Sequence, residues 1–140
     1  LLLIRLADLG ASRRSCGAMA IVGAAAVLGS IGTAAVPFTL NAAIHKSAAL
    51  LYFFGTVALQ AAIASQEWRL RLPRVLPLTS IAVVAAYFVF ATLLALVGKT
   101  GGVDRTTPVP WEWLSFLTLM AWLAAHTVVL GSRPSLPKAA

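Results

Sequence analysis

Four long apolar stretches, at about 16–38, 43–64, 75–97 and 111–130, alternate with short breaks that collect the arginines and most of the prolines. At 1.5 Å per residue each makes about 30 Å of α-helix or more, enough to cross the hydrocarbon core of a bilayer. The pattern predicts an all-α fold: a polytopic membrane bundle of four antiparallel transmembrane helices within a single integral membrane domain spanning 1–140. LLLI ahead of Arg5 reads as the last turn of a further apolar segment cut off upstream. The expectation is therefore an N-terminally truncated chain from a bundle of five or six helices.

The segments differ in character. The first carries Gly17, Gly23, Gly29 and Gly32 among many alanines, a narrow profile that lets helix backbones approach closely in lipid and places this helix at the packed centre. In the second, His45, Ala49, Tyr52, Thr56 and Gln60 fall within about a 100° arc, opposite Leu50, Leu51, Phe53, Phe54 and Val57. A polar stripe at membrane depth must face protein or a water-filled cavity, because hydroxyls and amides left in lipid lose their hydrogen bonds. QEWRLRLPR then reads as an interfacial loop, ending the second helix near Ser65. The third segment, charge-free and rich in β-branched and aromatic residues, is expected to be the most lipid-exposed. Gly98–Pro110 has the glycines and prolines of a connection, and its glycine pair lacks the GxxxxGK[ST] spacing of a phosphate-binding loop.

Composition sharpens this picture at two points. Only 11% of residues are charged, against about 25% in soluble domains. The net charge of +7 resides in the breaks rather than on one basic surface, which argues against nucleic acid and for topology setting and anionic head groups. Placing the N-terminal segment, loop 65–74 and the C-terminus on one side gives that side Arg5, Arg13, Arg14, Arg69, Arg71, Arg74, Arg133 and Lys138. The other side keeps Lys46, Lys99 and Arg105. The first side is therefore expected to be cytoplasmic, in the cell membrane if the source is bacterial. Trp68, Trp111 and Trp113 fit interface anchors. The single Cys16 excludes an internal disulfide, and no cysteine/histidine cluster offers a metal site.

Candidate chemistry is sparse. His45 and Glu112 open the second and fourth helices at similar depth, so they either share a site or touch head groups separately. Tyr52, Gln60 and His126 are the other polar intramembrane candidates. His126 shares a face with Glu112, Ser115 and Trp122, which suits a hydrogen bond inside the bundle. Haem ligation by both histidines is excluded by depth, since they differ by about 22 Å along the bundle. No cofactor is expected. Nor does the pattern offer a serine, a histidine and an acid at matching depth.

The chain resembles the Frag1/DRAM/Sfk1 superfamily of multi-helix membrane proteins, or a related uncharacterised bacterial membrane family. The residues that carry the resemblance are Gly17, Gly23, Gly29 and Phe38, then His45, Ala49, Phe53, Gly55 and Gln60, then Glu112 and Trp113, across 14–130. Shorter loops and missing family cysteines depart from the eukaryotic members. The resemblance implies about six helices and lipid-linked work, from anchor remodelling to scaffolding. Together these readings favour a non-enzymatic helix bundle that interacts with membrane lipids, protein partners or further copies of itself. A membrane-embedded lipid-modifying enzyme, with His45 as base and Glu112 as its orienter, is the alternative. A small transporter or channel lined by Tyr52, Gln60 and His126 is the third.

Overall fold

A computed structural model describes residues 2–104 and 106–131. Among them the fold is helical, without strands: α1 (Leu2–Asp8), α2 (Arg13–Ala35), α3 (Ala42–Arg69), α4 (Val75–Leu96) and α5 (Val109–Gly131). The last four are long and apolar enough to cross a membrane, and their short connections make successive helices antiparallel. Arg105 and the basic tail with Arg133 and Lys138 lie outside the described residues.

Local chemistry sets the boundaries. Ser12 caps α2 by accepting from the Ser15 amide at 3.1 Å, and Asn41 caps α3 by accepting from Ala43 and Ile44. Pro37 follows the end of α2 closely, as expected of a residue that cannot continue a helix. The end of α3 departs from expectation. The helix runs to Arg69, so the first part of QEWRLRLPR is its last turn rather than a loop. It closes with Leu72 N donating to Glu67 O (3.0 Å) and Arg71 N to Trp68 O (3.1 Å), with Arg71 at φ 52°. This is a Schellman ending with arginine where glycine is usual. The stop signal was therefore invisible in the residue types.

Packing follows chain order: α2 on α3, α3 on α4, α4 on α5, with α1 tucked beside α2. The α2–α3 seam is the tightest. A methyl group at Gly29 would lie 2.4 Å from the Tyr52 amide nitrogen, and one at Gly55 would lie 2.9 to 3.1 Å from three atoms of Ala26. Gly23, Gly29 and Gly32 of α2 thus all face a single neighbour, α3, leaving Ile21, Val27, Leu28 and Ile31 exposed on the other side. This corrects the expectation of a central α2; α3 and α4 are central instead. The expectation that α4 is the most lipid-exposed helix is also overturned. Leu76, Ser80, Val83, Ala86, Tyr87 and Phe90 are all buried, because the aromatic residues of α4 pack on α3.

Before α5, Asp104 ties the connection into a turn. One carboxylate oxygen accepts from the hydroxyls of Thr106 and Thr107 (2.7 and 2.9 Å) and from both of their amides (2.9 Å each). The Thr106 hydroxyl, then the Thr107 hydroxyl and the two amides, hold this exposed carboxyl down at about 2.

Two outcomes test these features. Gly29→Ala should destabilise the bundle by about 1–3 kcal/mol, as overpacking does. Gly17→Ala, which meets no atom within 4 Å, should be near neutral in the same detergent melts. If both variants melt alike, the close α2–α3 approach is not present in solution. For Asp104 the folded value lies below the ordinary 3.8, so its contribution is complete above the ordinary value and disappears as pH falls through about 2. A carboxyl titration followed by NMR with a midpoint near 3.8 would show that the turn does not form.

Candidate functional site

The polar stripe of α3 continues further than its first residues suggest. His45, Tyr52, Thr56, Gln60 and Glu67 all fall within one arc of about 80° at 100° per residue. Thr56, Gln60 and Glu67 are buried, Glu67 completely. At the level of Tyr52 the stripe meets α4, where the Tyr52 and Tyr87 hydroxyls share a 2.6 Å hydrogen bond within a ring cluster that includes Phe53 and Phe90. Two turns from Tyr52, Gln60 is 2% exposed and its side-chain oxygen has no partner. Ile63, equally buried, then interrupts the stripe.

The Glu67 carboxylate anchors the main polar cluster. Its Oε1 hydrogen-bonds His126 Nε2 of α5, and its Oε2 accepts from the Ser80 hydroxyl of α4 at 3.2 Å. Ser80 in turn accepts from the indole Nε1 of Trp122 at 2.8 Å. His126 Nδ1 donates to the Trp122 carbonyl one turn back (2.8 Å), and the two rings stack with centroids 4.4 Å apart. All four residues are buried. A buried charge is tolerated only when it is paired and fully hydrogen-bonded, and here two neighbouring helices, α4 and α5, supply the partners.

A serine, a histidine and an acid therefore do lie at one depth, contrary to the expectation from sequence. They are not wired as a nucleophile and base. The acid stands between the other two, and the serine donates to the carboxylate rather than to the imidazole. The sequence held a usable signal in the i to i+7 step from Gln60 to Glu67, which continues the stripe. The surrounding arginines and Trp68 disguised it as a loop.

The other candidates lie elsewhere. His45 is half-buried, with Nδ1 donating to the Val36 carbonyl (2.8 Å) and its ring set edge-on to Phe38. Glu112 is exposed on the first turn of α5. The two form neither an ion pair nor a hydrogen bond with each other. Trp68, Trp111 and Trp113 are exposed at helix ends.

Beside the cluster a pocket of about 430 Å³ opens between α1 and the end of α5. Leu2, Trp122, Leu123 and Leu130 give it largely apolar walls, while Arg5 and His126 add a guanidinium and an imidazole. Leu6 of α1 is fully buried in the same core as Trp122 and Leu130, which fixes α1 as one wall. Its volume lies within the range of small-molecule sites, about 300–1,000 Å³.

No protein-family model, curated protein or solved structure matches the chain.

Removing one member of the buried pair should cost more than removing both. His126→Leu leaves a carboxylate without its partner and should destabilise by about 3–5 kcal/mol, whereas Glu67→Leu with His126→Leu should cost less than the single change. Unfolding of the purified protein in mixed micelles measures both. A double variant whose loss equals the sum of the two singles would show that the pair is not coupled.

Proposed function

We propose that the protein is a non-enzymatic integral membrane bundle that holds an anionic lipid in the pocket between α1 and α5. The supporting observation is that pocket's composition: apolar walls suited to an acyl chain, with Arg5 and His126 set among them. Five exposed arginines, Arg13, Arg14, Arg69, Arg71 and Arg74, lie at the same end of the bundle. Positive charge at the same end of the bundle as an apolar slot complements a phospholipid of the inner leaflet. On this reading the arginine-rich end is cytoplasmic. The resemblance to the Frag1/DRAM/Sfk1 superfamily, itself a proposal, points to the same lipid-linked class of work. The niche, however, moves from the level of His45 and Glu112 to that of Glu67 and His126.

The lipid-modifying alternative finds less support. Ser80 is fully buried with its hydroxyl committed to Glu67, His45 is bonded to the Val36 carbonyl, and Glu112 is exposed and not bonded to His45. The channel alternative would need a continuous polar path, which Ile63 interrupts on α3.

Delipidated protein in a neutral detergent, titrated with phosphatidylglycerol and followed by native mass spectrometry, tests the reading. Binding should exceed that of phosphatidylcholine about tenfold, the loss expected for one charge contact of about 1.4 kcal/mol. Leu130→Trp, which fills the pocket, should abolish the preference. Glycerophosphoglycerol, the deacylated headgroup, should not compete, because it offers nothing to the apolar walls. Equal binding of the two lipids, or cross-linking of a second chain into the pocket that lipid does not displace, would refute the proposal.

A further inference from the structure

The dimensions of the pocket between α1 and α5 match one lipid chain. Trp122, Leu123, His126, Thr127, Leu130 and Gly131 are successive turns of one face of α5, so the pocket runs along that helix. From Trp122 to Gly131 the wall is about 13.5 Å long at 1.5 Å per residue. One leaflet of the hydrocarbon core is about 15 Å deep, so the pocket is one leaflet long. A volume of about 430 Å³ over about 13.5 Å leaves a mean cross-section of about 32 Å². Apolar carbons in contact lie about 4.5 Å apart, so a straight acyl chain fills about 20 Å² and two chains need about 40 Å². One chain fits and a second does not.

The walls hold this width. Trp122 is tied by its indole to Ser80 at 2.8 Å and stacks on His126, Leu130 is buried, and on the opposite side the fully buried Leu6 anchors α1. Widening the slot for a second chain would break these contacts. Polarity runs along it in one direction. α1 joins α2 at the arginine-rich end, and its Leu3 carbonyl accepts from Cys16 Sγ at 3.8 Å, one turn inside α2. Leu2 therefore lies deeper than Arg5, and the guanidinium stands nearer the mouth than the apolar floor does. A lipid of the arginine-rich leaflet has the same order of charge and chain. We propose that the pocket grips an anionic phospholipid by a single acyl chain, so that its ligands are defined by one chain and an anionic headgroup and include monoacyl lysophospholipids. The inference rests on the lipid-binding reading and names how the lipid is held. The second chain of a diacyl lipid leaves through the opening between α1 and α5 and stays in the bilayer.

Native mass spectrometry of the full chain, released from phosphatidylcholine nanodiscs that hold equal mole fractions of phosphatidylglycerol and lysophosphatidylglycerol of the same chain length, tests the assignment. Both lipids start from the bilayer, so the comparison reads the slot rather than transfer from water. The expected result is one lysophosphatidylglycerol per protein, with no other lipid beside it, and an apparent affinity within about tenfold of the diacyl lipid. In a slot built for two chains the missing one would leave a void, which costs far more than that. Gly131→Phe, at a position where an added Cβ meets no atom within 4 Å, should block both lipids. A lysolipid weaker by more than about tenfold, two lysolipids per protein, or one lysolipid accompanied by phosphatidylcholine overturns the single-chain slot and leaves the lipid reading standing. Binding of neither lipid, or unchanged binding of both in folded Gly131→Phe, overturns both. Should that variant not fold, the stoichiometry and affinity of the two lipids on the wild-type protein decide.

Discussion

A fully buried carboxylate at the end of a membrane-length helix is the constraint that the rest of the bundle answers. Glu67 sits on α3 and is completely buried, so solvent does not reach its carboxylate. Its lone pairs are therefore met by Ser80 from α4 and His126 from α5. That requirement sets the register of three helices at once. Sliding α5 by one residue would rotate His126 by about 100° away from Glu67 and carry Trp122 away from Ser80. Apolar contacts between helices in lipid tolerate such slips, since lipid solvates leucine as well as leucine does. The polar cluster does not. It gives this arrangement a specificity that the alanine- and leucine-rich surfaces cannot supply.

The two central helices are held by opposite means. On its α2 side α3 is joined by absence of side chains: Gly29 and Gly55 bring the backbones to contact distance, and the stabilisation is dispersion over a close seam. On its other side α3 is joined by aromatic rings and hydroxyls at the Tyr52 level and by the carboxylate cluster at the Glu67 level. α3 is therefore fixed along its length, tight at one face and polar at the other. α5 lies furthest from α2 in packing order, and the His126–Glu67 bridge ties it to α3.

Much of the fold was legible because hydropathy over membrane-length windows leaves few alternatives. Four spans were visible in the apolar runs, and the expected start of the second, at about 43, lies beside the first residue of α3, Ala42. The stripe from His45 to Gln60 was correctly confined to one face of one helix. What escaped was tertiary. The glycines of α2 announce close packing without saying against how many neighbours, so the helix was expected at the centre rather than at one side. The aromatic residues of α4 look alike whether they meet lipid or α3. Above all, Glu67 lies in a run of arginines with Trp68, where its neighbours are solvated and it is not. A Schellman ending built on Arg71 hid the extra helical turn that points it inward. The pair suggested by equal depth, His45 with Glu112, satisfied the geometry along the membrane normal only, and two residues at one level still have the whole width of the bundle between them.

The position of the cluster also bears on how the pocket works. His126 has both nitrogens occupied, so an anion in the pocket does not receive a hydrogen bond from the imidazole in this arrangement; it meets the ring. On the lipid-binding proposal, contact with a headgroup would fall to the Arg5 guanidinium rather than to the imidazole. Charge acting across a contact of this kind is sensitive to the low dielectric of the surrounding apolar walls, where a unit charge a few ångströms away counts for several times its value in water. On the proposed reading, apolar lining and guanidinium form one device: the walls would hold an acyl chain and strengthen the charge that selects its headgroup.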